Sequence, residues 1–223
     1  MDKKLFVSAI SKFLLGVILL GVLIFWPAGT LHFAAGWRLM IVLFLPMFIA
    51  GFVMMAKNPA LLKSRLDAKE EQATQSVVVK LSGLMFLAAF VLAGLDFRFG
   101  WLPLPSWVSP TATVVFLIAY ALYAEVLREN TWLSRTIEVQ EGQQVVDKGL
   151  YGIVRHPMYA VTLFLFLSMP LVLDSLISFA VLLIYPFLIA VRIKNEEQVL
   201  EEGLAGYREY KKKVKYRLIP FIW

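Results

Sequence analysis

Apolar residues run along this chain in blocks longer than a soluble helix needs. Residues 5–26, 37–56, 77–96 and 109–127 are each close to uniformly apolar, and crossing a hydrocarbon core of roughly 30 Å takes about 20 such residues in a helix. A further block, 158–193, is too long for one crossing. Asp174-Ser175 near its middle reads as a turn and divides it in two. The pattern therefore predicts six spans. The fifth, about 158–172, is short by the same length rule, so a tilted or partly sunken hairpin is expected there. The first block is too long for a cleaved signal and no small-x-small site follows it, so it is expected to remain as an anchor.

Polar residues are confined to connections and a tail, with no repeat, low-complexity tract or soluble domain. The stretch from Asn130 to Pro157, "NTWLSRTIEVQEGQQVVDKGLYGIVRHP", is long for a simple link, and loops of that length are functional or disordered. Thr136 to Gln140 alternate polar and apolar residues, Glu141-Gly142 is a turn signal, and Gln143 to Val146 can return as a second short strand. A structured cytoplasmic cap is expected. Farther on, Leu200, Leu204, Tyr207, Tyr210 and Val214 recur at helical spacing, with Glu201, Glu202, Arg208 and Lys211 to Lys213 on other faces. That pattern predicts an amphipathic helix lying on the membrane surface.

Composition agrees with this reading: 60% of the 223 residues are hydrophobic and 17% charged, outside the range of soluble domains. The fold class is an all-α integral membrane protein, with about six transmembrane helices, a cytoplasmic cap loop and a C-terminal amphipathic helix. Charge then sets orientation. With the N-terminus inside, all but Arg38 and Arg98 of the 22 lysines and arginines fall on the cytoplasmic side, as the positive-inside rule requires. Both termini are expected in the cytoplasm, at an inner or cytoplasmic membrane. The net charge of +6 lies where the membrane places it, so lipid headgroups are expected as partners and nucleic acid is not. There is no cysteine and there are two histidines, which excludes thiolate chemistry and leaves no basis for a metal site.

Two short motifs carry the candidate chemistry. In "VRHPMY", Val154 to Tyr159, Pro157 suits the first turn of a helix. Arg155 and His156 stand just ahead of that helix N-terminus, and together they favour an anion. In "RIKNEEQVL", Arg192 to Leu200, an acidic pair closes the sixth span. If the last two spans form an antiparallel hairpin, Arg155 and His156 face Glu196 or Glu197. Only one of these can fully face the pocket, because neighbours on a helix point about 100° apart. A cationic end with a carboxylate suits a zwitterionic ligand.

From about Asn130 to Trp223 the chain resembles the isoprenylcysteine carboxyl methyltransferase and phospholipid methyltransferase family. The matching pieces are "GQQVVDKGLYGIVRHPMY", then "EEQVL", then "YREYKKKVKYRLIPFIW". The resemblance implies an integral membrane enzyme that uses S-adenosylmethionine, bound between the last two helices and the cap. It implies that His156 and Tyr159 belong to the cofactor motif, that Glu196 and Glu197 form its acidic part, and that Gln144, Val145, Val146, Gly149 and Tyr151 close over the nucleoside. Arg155, Glu196 and Glu197 are the implied catalytic residues, Arg155 orienting the cofactor carboxylate or an anionic acceptor. The chain departs from the family at Val161, where glycine is common. On this reading 1–128 form the acceptor-side cavity and 129–223 the cofactor region, and the acceptor is a lipophilic or small molecule bearing a carboxylate, thiol or amine. Membrane sterol and steroid reductases, which bind NADPH, end similarly. They carry asparagine where this chain has Met158, and "KNEEQ" lacks the clustered basic groups that a 2′-phosphate wants.

Overall fold

The computed structural model describes residues 3–66, 73–134 and 137–223. Among them are nine α-helices and no strand: α1 (Lys3–Ala28), α2 (Ala34–Lys57), α3 (Pro59–Leu66), α4 (Ala73–Phe99), α5 (Val108–Glu129), α6 (Pro157–Val172), α7 (Leu176–Leu182), α8 (Tyr185–Gly203) and α9 (Tyr207–Lys213). Five stretches are long and apolar enough to cross a membrane: α1, α2, Gln75–Phe99 of α4, α5, and Leu176–Gly203 spanning α7 and α8. The chain is a multi-span, all-helical membrane protein. Its flanks carry large exposed apolar side chains such as Leu15, Phe52, Leu84 and Phe187, the surface a lipid environment covers.

The fifth expected span is α6, whose 16 residues reach only about 24 Å at 1.5 Å per residue. Most of its residues are buried, among α2, α4, α5, α7 and α8. A helix sheathed by others need not match the lipid thickness itself. The expected turn after it forms: Asp174 takes a left-handed φ of 61°, and Ser175 caps α7 by accepting from the Ser178 amide at 3.2 Å. The last crossing is broken between α7 and α8 because Pro186, in the first turn of α8, has no N–H for the preceding turn.

Helices α1 and α4 meet through small residues. A Cβ on Gly94 would stand 2.5 Å from the Ile24 carbonyl oxygen, and Ala93 is fully buried beside it in the cluster that holds Ile24 and Ala28. Close backbone approach of this kind substitutes for the missing hydrophobic effect between helices in lipid. At the end of the bundle where α4 closes and α5 opens, Ser175 donates to Asp96 at 2.7 Å. There too Ser109 donates to the Val172 carbonyl at 2.7 Å and accepts from Arg38.

Two expectations about polar segments are corrected. The turn at Glu141-Gly142 is present, with the Gln143 amide donating to the Gln140 carbonyl at 3.1 Å, but no strand ladder flanks it among the described residues; Thr136 lies outside them. The Gln140 amide is satisfied instead by the Gln143 side chain at 2.9 Å, and the Gln140 side chain donates to the Trp132 carbonyl at 2.6 Å. The amphipathic stripe does not lie on lipid. Gly206, at φ 82°, lets the chain turn between α8 and α9, and Leu204, Tyr207, Tyr210 and Val214 pack inward against Val139, Val145 and Leu200.

Candidate functional site

Pro157 is the first residue of α6, and the residues before it are clamped by the tail. The Arg155 amide donates to the Tyr216 carbonyl and the His156 amide to the Arg217 carbonyl, each at 2.9 Å. The Arg155 guanidinium donates to Glu197 Oε1 at 2.7 Å and to the carbonyls of Val214 and Lys215 at 2.7 and 2.8 Å. Arg217 donates to Glu197 Oε2 at 2.9 Å, His156 Nε2 lies 3.3 Å from Oε1, and Lys211 Nζ lies 3.7 Å from Oε2. Glu197 is 2% exposed, and a carboxylate so buried persists only when paired. The anion that Arg155 and His156 meet is therefore this side chain.

Glu196 points elsewhere. Its Oε2 accepts from the Tyr159 hydroxyl at 2.5 Å, its Oε1 is 3.8 Å from His156 Nδ1, and it lines a pocket under the cap. Tyr159 in turn accepts from Arg192 Nε at 2.9 Å. The pocket has a cavity volume of about 90 Å³ and opens to solvent at its mouth. Gln144, Val145, Val146, Tyr151, Arg155, His156, Tyr159 and Glu196 all line it.

Gly149 and Glu197 stand outside that lining. Gly149 has φ 58°, and a Cβ there would sit 1.9 Å from Glu129 Oε1; the neighbouring Leu150 amide donates to Glu129 Oε2 at 2.9 Å. Gly149 thus seats the short 3-10 turn that aims Tyr151. Val161 is buried in the core between helices, away from the pocket wall.

Other lining residues carried no site assignment from the sequence: Trp132, Glu138, Met158, Arg192, Tyr207 and Tyr210. The two tyrosines belong to the visible stripe, whose partner the spacing does not reveal. Burial raises the Tyr151, Tyr207 and Tyr210 phenols above the ordinary tyrosine value, aided at Tyr207 by the Glu197 and Glu196 carboxylates, so all three remain neutral donors. Tyr210 donates to the Tyr151 carbonyl at 2.7 Å. The hydroxyls of Tyr151 and Tyr207 are buried without a hydrogen-bond partner. Asn130 lies near enough to Tyr151 to favour its ionised form slightly, but no contact between them has hydrogen-bond geometry.

The model of the isoprenylcysteine carboxyl methyltransferase (ICMT) family matches residues 110–202. That segment is similar to the ICMT family. It includes the cap, α6, α7 and most of α8, and so most of the pocket wall, while α9 and the tail that clamps Arg155 lie beyond the matched residues. Among curated proteins, the chain is 34% identical over 91 residues to the Delta(14)-sterol reductase TM7SF2 of Mus musculus, covering 40% of this chain and 22% of that protein. It is 29% identical over 98 residues to the uncharacterized protein YpbQ of Bacillus subtilis (strain 168), covering 44% of this chain and 58% of that protein. The chain thus spans under two thirds of the length of either relative.

Proposed function

We propose that this chain is a membrane methyltransferase that takes its methyl group from S-adenosylmethionine. The observation carrying this reading is the convergence of the Glu196 carboxylate and two unpartnered buried phenols on one pocket walled by Val145, Val146, Leu200 and Leu204. A nucleoside with a zwitterionic tail offers hydroxyl and amino groups to the carboxylate, acceptors to the phenols and an apolar face to the aliphatic wall. The donor set therefore fits the cofactor.

Gln144, Val145, Val146 and Tyr151 would surround the nucleoside, and His156, Tyr159 and Glu196 would hold its polar groups. Bound there, S-adenosylmethionine supplies a methyl group made electrophilic by its sulfonium. The protein's task is alignment and exclusion of water, for which a pre-set pocket suffices; a carboxylate or thiolate acceptor needs no acid–base dyad. Arg155 acts through Glu197, holding the start of α6 against α8. On this reading residues 1–128 shape the acceptor cavity and 129–223 the cofactor region, with both ends of the chain in the cytoplasm and a lipophilic or small acceptor entering from the membrane.

The similarity to a sterol reductase favours a second reading, an NADPH-dependent oxidoreductase. Against it, the two arginines of the pocket wall among the described residues are already engaged, Arg155 with Glu197 and Arg192 with Tyr159 and Gln75, whereas a 2′-phosphate wants an available basic group. Parallel calorimetric titration of the detergent-solubilised protein with S-adenosylmethionine, S-adenosylhomocysteine and NADPH decides. Binding of the first two and not the third is expected; binding of NADPH alone transfers the chain to the second reading, and binding of none removes both.

A further inference from the structure

We propose that Gln75, in the first turn of α4, is a positioning residue that sets the Glu196 carboxylate from across the bundle, a role that rests on the pocket being the cofactor site. Gln75 is fully buried. Its Nε2 donates to Asn195 Oδ1 at 2.6 Å and its Oε1 accepts from Arg192 Nη1 at 3.0 Å, so both ends of the amide are committed and its orientation is defined. Arg192 then donates through Nε to the Tyr159 hydroxyl at 2.9 Å, and that hydroxyl donates to Glu196 Oε2 at 2.5 Å.

From Arg192 the donors run two ways, through Gln75 to Asn195 and through Tyr159 to Glu196. Because the Tyr159 oxygen accepts from a guanidinium, its own proton is directed to Glu196, and the carboxylate is held with one oxygen on Tyr159 and the other toward His156. The other arm of Arg192 is anchored on α4, where Gln75 accepts from Nη1. Gln75 is thus a link by which helices outside the segment similar to the ICMT family bear on the pocket, and a buried network of this kind is sensitive to the loss of any member.

The test compares Gln75→Leu, which removes both bonds at similar size, with Gln75→Glu, which still accepts from Arg192 while Asn195 turns its amide to donate. In S-adenosylhomocysteine titrations of the full chain in detergent, Gln75→Leu should weaken binding about 10-fold, the worth of one hydrogen bond to a charged group, and Gln75→Glu should restore it. In the Glu196→Gln background Gln75→Leu should add nothing further. A ligand-free arm measures thermal unfolding of Gln75→Leu, Tyr159→Phe and the double variant; the double should lose no more than the larger single loss. Additive losses, or unchanged affinity in Gln75→Leu, overturn the proposal. If the unsubstituted protein binds no S-adenosylhomocysteine, the cofactor reading fails and the role assigned to Gln75 at Glu196 falls with it, while the unfolding arm still reports whether Gln75 and Tyr159 are coupled.

Discussion

Glu196 and Glu197 are separated by one position and about 100° around α8, and that rotation gives them different neighbours. Glu197 is enclosed by Arg155, Arg217, His156 and Lys211; Glu196 reaches the pocket through Tyr159. Replacing Glu197 with Gln leaves the Arg155 guanidinium, 5% exposed at its side chain, without its carboxylate, and should destabilise the fold by about 3 kcal/mol, read by thermal unfolding in detergent. Glu196→Gln should leave stability within about 1 kcal/mol and weaken S-adenosylhomocysteine roughly 10-fold. That Arg155 and His156 would meet an acidic pair was legible in the sequence, since a hairpin brings the start of one helix beside the end of the other. Which glutamate faces the pocket was not, because it depends on how α8 is rotated against its neighbours. Gln75 was invisible for a related reason: a single amide at the head of an apolar run carries no pattern.

Single positions also seat whole elements. Gly149→Ala would require a non-glycine residue at φ 58° and a Cβ against Glu129. It should cost about 1–3 kcal/mol and lower cofactor affinity, because the turn bearing Tyr151 must move; a Glu129→Ala,Gly149→Ala double variant should recover only the steric part. At the far end of the bundle, Ser175→Ala removes the cap of α7 and the Asp96 partner together. A loss of about 1–2 kcal/mol is expected, seen as an unfolding midpoint lower by a few degrees. The long helices were readable from block length alone. The cap was not, because alternation around Gln140 and Val145 reflects packing on α9 and side-chain bonds to the backbone rather than a sheet, and period-two spacing does not distinguish the two. The stripe on α9 showed that a face is buried, without showing that its cover is the cap.

Across the whole molecule, the distribution of charge predicts that the pocket end is cytoplasmic. The chain has no cysteine, so single introduced thiols report sidedness cleanly. Ser106→Cys should react with an impermeant maleimide on intact cells, and Lys212→Cys only after permeabilisation; the reverse pattern would overturn the orientation. Block counting anticipated six embedded segments because it measures length, and α6, shorter than a full crossing, is the one whose surroundings are other helices. The clasp formed when Tyr216 and Arg217 take up the amides of Arg155 and His156 bears on biosynthesis. A chain cut just short of those residues would keep every bilayer-embedded helix, yet leave the pocket floor unlatched, so the site should mature only after the tail has left the ribosome.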